Sequence, residues 1–91
     1  MLIVHALITL RLPYVHSLKG RRKILNAIKD RLKNKNMAVA DVSGEYAKEG
    51  LLTLCFFAST QEDANNKIEQ LEQLLEHHFP ELDFEMQYEI V

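Results

Sequence analysis

The chain has 91 residues, of which 47% are hydrophobic and 26% charged, as is usual for one globular domain. Three glycines, two prolines and no long polar tract argue against disorder, and no apolar run is long enough to span a bilayer. The single cysteine, Cys55, excludes an intramolecular disulfide and fits a reducing compartment. We therefore expect one domain covering residues 1–91, cytoplasmic and not associated with a membrane.

The net charge of −2 conceals a strong asymmetry along the chain. Residues 1–36 contain nine Lys and Arg against Asp30 alone, whereas residues 61–91 contain nine Asp and Glu against Lys67 alone. Such a division predicts either a face that binds a polyanion or complementary surfaces that meet.

The first third of the chain predicts a strand followed by a helix. Residues 2–12 alternate apolar positions as a strand does, and Pro13 ends that pattern. Ser17 has the character of a helix N-cap, and the period then becomes helical from Leu18 to about Asn34. The apolar stripe of this helix comprises Leu18, Ile24, Leu25, Ile28 and Leu32.

The rest of the chain predicts three strands and a second helix. Residues 37–43 have a strand pattern, residues 44–50 form a turn or loop, and residues 51–58 are apolar on both faces, as in a central strand. Ser59 and Thr60, with Glu62 and Asp63 three residues later, form a capping-box signature for the second helix. Pro80 bounds that helix, and residues 81–90 alternate as a last strand.

The predicted order is therefore β-α-β-β-α-β. Two right-handed crossovers and one hairpin combine these elements into a ferredoxin-like α+β sandwich. We expect a four-stranded antiparallel sheet with both helices on one face.

Three stretches resemble the YlxP-like family of small bacterial proteins of unknown function: "LPYVHSLKGRRKIL", "NMAVADV" and "STQEDANNKIEQLEQLLE". The chain departs from the family pattern at Gly20, where members commonly carry an acidic residue. It also has "GEYAKEGL" where members often carry a Trp-Gln-Arg-like segment. The resemblance implies a bacterial cytoplasmic protein of ferredoxin-like fold. Because family genes often lie near those of translation and ribosome-maturation factors, it also favours a role with RNA.

The start of the first helix carries the candidate binding residues. Cations in a first turn oppose the helix dipole, and a glycine there lowers helix propensity, so a segment that breaks both rules is a candidate site. Helix amides and clustered cations together bind anions such as phosphate. The predicted anion- or RNA-binding residues are Lys19, Gly20, Arg21, Arg22 and Lys23, extended along the helix by Lys29 and Lys33. Two other interpretations remain open: an ordinary solvated face, with the Arg21 stem packed on the sheet edge, and a contact with a protein partner.

A second candidate surface is the sheet face turned away from the helices. Strand alternation places Ile3, Leu7, Cys55 and Phe57 on it, and together they form a larger apolar patch than a monomer usually exposes. We expect this patch to mediate a homodimer. The alternative is a half-solvated face, which antiparallel sheets tolerate.

Catalytic and metal-binding signatures are absent from the sequence. The adjacent pair His77 and His78 ends the second helix, where the dipole favours imidazolium and where neighbouring side chains point about 100° apart. No Cys–His pairing, glycine-rich phosphate loop or acid–base carboxylate pair is present, and the exposed aromatics of an RNA-recognition motif are missing. We therefore expect a non-enzymatic protein without cofactor or metal. It is either an RNA- or ribosome-associated factor or an interaction module that joins oppositely charged surfaces.

Overall fold

The computed structural model describes all residues from Met1 to Val91 and confirms the predicted fold. Four strands form one antiparallel sheet in the order β2-β3-β1-β4, and the two helices cover one of its faces. The elements are β1 (Leu2–Arg11), α1 (Leu18–Lys33), β2 (Ala38–Asp41), β3 (Glu49–Ala58), α2 (Gln61–His78) and β4 (Asp83–Ile90).

The hydrophobic core lies between the sheet and the helices, where the two sequence periods meet. Alternate residues of β1 and β3 point into it, and each helix contributes residues spaced by three or four positions. Seventeen buried apolar residues form one contiguous cluster, in which Ile8, Leu10, Leu25, Leu54 and Leu75 are among the largest. The alternation and the helical stripes thus identified the buried faces, except that Leu18, predicted to lie in the apolar stripe of α1, is 44% exposed.

Each strand begins or ends one or two residues from its predicted bounds, and at β3 and β2 the difference follows from pairing between distant segments. β3 begins at Glu49, since the long central strand β1 pairs with it as far as Arg11 opposite Glu49. Gly50, predicted to lie in a loop, is therefore a buried strand residue. β2 is only four residues long, because its pairing with β3 extends from Ala38 to Asp41.

Both helices begin with the capping contacts that their sequences predict. The Ser17 hydroxyl accepts a hydrogen bond from the Gly20 amide at 3.0 Å, and the Thr60 hydroxyl accepts one from the Asp63 amide at 3.1 Å. The Asp63 carboxylate in turn accepts the Ser59 amide at 2.8 Å. That hydrogen bond is the main cause that lowers the pKa of Asp63.

Neither helix is both long and apolar enough to cross a membrane.

Candidate anion-binding site

The first two turns of α1 present three exposed cations. Lys19, Arg22 and Lys23 line a shallow depression together with Ser17, Gly20 and Asn26. The ion pairs of the molecule lie elsewhere, in β1, β4 and α2, so none of these three side chains has a carboxylate oxygen within 4.0 Å. Their positive charge is not neutralised within the protein.

Arg21 does not belong to this exposed cluster, contrary to the sequence prediction. Its side chain is buried, and Nη1 donates hydrogen bonds to the carbonyl oxygens of Tyr46 at 2.9 Å and Glu49 at 3.0 Å. The reason is its helical phase, because position 21 continues the stripe of Leu25, Ile28 and Leu32. Arg21 therefore fastens the loop before β3 to α1 and is not available to bind an anion.

Gly20 also has a structural explanation that differs from the predicted one. A Cβ atom at this position would lie 3.2 Å from Ser17 Oγ and 3.6 Å from a Val15 methyl group. The Gly20 amide is already bonded to Ser17 Oγ, and the Arg21 amide to the Ser17 carbonyl. The glycine thus makes room for the N-cap, and an anion at this turn would be held mainly by side chains.

Lys33 and Lys29, which were predicted to extend the anion-binding residues along α1, differ in environment. Lys33 is exposed and lies on the same face of α1 as Lys19, Lys23 and Asn26. Lys29 is half-buried and turned toward Asp41 of β2. Burial by itself raises the pKa of Asp41, but hydrogen bonds from Ser43 and the nearby charges of Arg21 and Lys29 outweigh it and lower the pKa. Part of the Lys29 charge is therefore balanced internally.

The predicted apolar patch lies on the sheet face opposite the helices. Ile3 pairs with Phe57 and His5 with Cys55 across β1 and β3. Phe57 is 61% exposed and Ile3 42%, Cys55 is exposed, and Leu7 is half-buried. The structure thus brings the four residues onto one solvent-facing surface.

Acidic side chains of β4 border this patch and pair with β1. Arg11 Nη1 lies 3.3 Å from Asp83 and Arg11 Nη2 lies 3.5 Å from Glu85, while His5 Nδ1 is 3.7 Å from Glu89. Arg11 therefore points to the acids of β4, as its strand position predicts, and away from the exposed cations of α1.

The structure gathers no group of three or more His, Cys, Asp or Glu side chains able to hold a metal ion. His77 and His78 pack edge to face with ring centroids 4.8 Å apart.

The solved structures that resemble this chain define its class. The designed ferredoxin-fold protein LFR1 1, solved by NMR, has a TM-score of 0.63 at 15% identity and covers 97% of this chain and 85% of its own. The designed protein Foldit4 has a TM-score of 0.56 at 11% identity, covering 97% and 94%. Ferredog-Diesel, a third design, has 0.55 at 19%, covering 96% and 83%. At these identities the likeness shows the fold alone: a small ferredoxin-like α+β protein.

The family follows from the sequence match. The family described as "Protein of unknown function (DUF503)" matches residues 3–87, so the chain belongs to this family. No curated protein matches the chain.

Proposed function

We propose that this protein is a YlxP-like, cytoplasmic and non-enzymatic RNA-associated factor. Lys19, Arg22 and Lys23 contact RNA phosphates, and Lys33 extends the contact along α1. The observation that carries the proposal is that Lys19, Arg22 and Lys23 are exposed near the positive end of a helix dipole and have no carboxylate partner. The family resemblance favours ribosomal RNA or a ribosomal particle as the partner.

This surface reads the phosphate backbone and not the bases. The depression at the start of α1 offers cations and one amide side chain, Asn26, but no aromatic ring on which a base could stack. Affinity at this surface therefore depends weakly on sequence and strongly on salt, since each phosphate contact releases condensed counterions.

Charge reversal at the helix start tests the proposal. The R22E/K23E variant should lose RNA affinity by about two orders of magnitude or more at low salt, because two attractive contacts become repulsive. The measurement is fluorescence anisotropy with labelled ribosomal RNA fragments across a salt series. The single variant R22E is compared with R11E, which makes the same change of charge at a control position, since the side chain of Arg11 lies on the opposite face of the sheet. Equal affinity of the wild type and R22E/K23E would contradict the proposal.

The open sheet face supports a second candidate function, a homodimerisation module. Ile3 and Phe57 are exposed side by side on a strand pair, and self-association would remove them from water. The paired acids and bases of β4 and β1 would then form the polar rim of the interface.

Sedimentation of the wild type and F57K separates the two candidates. A dimer held by the apolar patch should persist at high salt and dissociate in F57K, because a lysine there would be desolvated without a partner. Leu51, also on β3 but only half-exposed, provides the milder control L51T. The dimerisation function would be contradicted if the wild type were monomeric at micromolar concentration, or if F57K remained a dimer.

A further inference from the structure

A groove of about 730 Å³ lies near the C-terminal end of α1, away from the cations of its first turn. It runs between α2, the connection from α1 to β2, and the end of β3. Its lining residues are Lys35, Asn36, Met37, Phe56, Phe57, Lys67, Gln70, Leu71, Gln73, Leu74, His77 and His78. Its size is within the range of pockets that hold small organic ligands.

The charges of α2 are divided between the groove and the solvent. This helix carries five acidic side chains, and none of them lines the groove. Its three basic side chains, Lys67, His77 and His78, all do. The division follows helical spacing, because positions 67, 70, 71, 74, 77 and 78 share one face. No acid of α2 is therefore among the lining residues of the groove, although Lys67 Nζ lies 3.3 Å from Asp63 Oδ2.

Nitrogen-bearing side chains gather at one end of this groove. Arg31, just outside the lining, has Nη1 3.5 Å from His78 Nε2 and donates a hydrogen bond to it when that nitrogen is unprotonated, and His77 and Lys35 are also close. Partial removal from water lowers the pKa of His78, and the charges of Arg31, His77 and Lys35 lower it further. None of these four groups has a carboxylate oxygen within 4.0 Å. Helix dipoles favour cations at C-terminal ends, but they do not explain the exclusion of every acid from the groove.

The remaining lining residues suit a flat, partly apolar group with polar edges. The apolar residues among them are Met37, Phe56, Phe57, Leu71 and Leu74. The amides of Asn36, Gln70 and Gln73 offer both donors and acceptors beside them. A phosphate alone needs neither the apolar surface nor the amides, whereas a nucleobase uses both. Only an unpaired base can leave its stack to enter a groove.

We propose that this groove binds an unpaired nucleotide of single-stranded RNA. Its phosphate lies beside Arg31, Lys35 and His78, and its base lies against the apolar lining within reach of Gln70 and Gln73. This inference rests on the proposed RNA function and adds to it the substrate class. The sixteen residues of α1 span about 24 Å, so one strand of about seven stacked nucleotides reaches from the groove to the first turn.

The test compares a 12-nucleotide single strand with a 16-base-pair RNA duplex by anisotropy. Q70A/Q73A removes the two amides on α2, and Q61A/Q87A is its matched control outside the groove. We expect Q70A/Q73A and K35E to bind the single strand about tenfold more weakly, and Q61A/Q87A to bind normally. Duplex affinity should not change in Q70A/Q73A, whereas R22E/K23E should lose affinity for both RNAs.

The outcomes separate failure of the inference from failure of the proposed function. The groove proposal is overturned if Q70A/Q73A and K35E bind the single strand as the wild type does, or if they lose as much affinity for the duplex as for the single strand. Either result leaves the proposed RNA function standing. Binding of neither RNA by the wild type overturns both. A third outcome is that the wild type binds hexaglutamate but not RNA, and that K35E no longer binds hexaglutamate. This result would assign the groove to an acidic protein segment and also overturn the proposal.

An NMR titration of the histidines provides a readout that a purely structural role would not change. A phosphate in the groove offsets the charges of Arg31, Lys35 and His77, so the single strand should raise the pKa of His78. The imidazole of His5, on the sheet face opposite the helices, serves as the internal reference. An identical His78 titration with and without saturating single strand contradicts the proposal.

Discussion

Arg21 shows how a charged side chain becomes part of a core. One of its guanidinium nitrogens bridges the carbonyl oxygens of Tyr46 and Glu49, and the stem continues the buried stripe of α1. Two carbonyls that would otherwise lie beside the apolar interior thereby gain a charged donor. The contact joins residues 25 and 28 positions apart and fixes the loop between β2 and β3.

Removing this guanidinium should destabilise the fold. We expect R21A to lower the free energy of unfolding by about 1.5–3 kcal/mol, because hydrogen bonds from a charged donor are lost at a buried position. Urea denaturation followed by circular dichroism measures the effect. R22A, one position away and exposed, should stay within about 0.5 kcal/mol of the wild type. Similar losses in both variants would show that Arg21 is not a structural residue.

The contact between α1 and β3 depends on a glycine at the start of the strand. Gly50 is buried, and a Cβ atom there would approach the Leu25 methyl groups at 3.1 and 3.4 Å and a Leu10 methyl group at 3.5 Å. Leu25 and Leu10 are themselves fully buried, so they have little room to move. The close approach of backbone to side chain sets the distance between the helix and the sheet here.

An added methyl group at this contact should overpack the core. We expect G50A to cost about 1–3 kcal/mol, since Leu25 must leave a packed rotamer. G44A is the matched control, because nothing lies within 4 Å of its Cβ position and no glycine has a positive φ. Thermal unfolding of the two variants gives the comparison. A G50A melting temperature equal to that of G44A would contradict this view of the contact.

The end of α2 should make folding stability depend on pH. Partial removal from water and, to a smaller extent, the charges of Arg31, His77 and Lys35 lower the pKa of His78 in the folded state below its ordinary value of 6.5. The unfolded chain then takes up this proton first as the pH falls, so the free energy of unfolding decreases as the pH drops below that range. The contribution of His78 to the free energy of unfolding is therefore greatest above pH 6.5.

Replacing the imidazole should remove this contribution. We expect the melting temperature of H78Q to fall less than that of the wild type when the pH is lowered from 7.5 to 5.5. H16Q, which changes an exposed histidine outside the groove, should behave as the wild type does. An H78Q curve parallel to that of the wild type would show that the cations do not disfavour protonation of His78.

Across the whole molecule, charge is sorted by surface. The acids at the sheet face of β4 pair with Arg11 and His5 of β1, while the cations of the α1 first turn lie on the helix side without partners. A net charge of −2 therefore coexists with a locally positive surface. Local potential and not net charge governs encounter with a polyanion, so the overall acidity does not argue against RNA as a partner.

The sequence by itself determined the elements and the buried faces of this protein. Alternation in residues 2–12, the helical stripe through Leu25, Ile28 and Leu32, and the caps at Ser17 and Thr60 are local patterns. Each depends only on the geometry of its own segment. The same patterns placed Ile3 and Phe57 on the open face, because strand alternation leaves only two faces to choose between.

The final position of some side chains depends on contacts between segments that lie far apart in the chain. Arg21 meets carbonyls from a loop 25 and 28 residues away. The groove likewise joins Lys35 and Met37 to α2, which no single period contains. Such contacts depend on how packed elements approach one another, and that distance and angle are set by the shared core and not by any one segment.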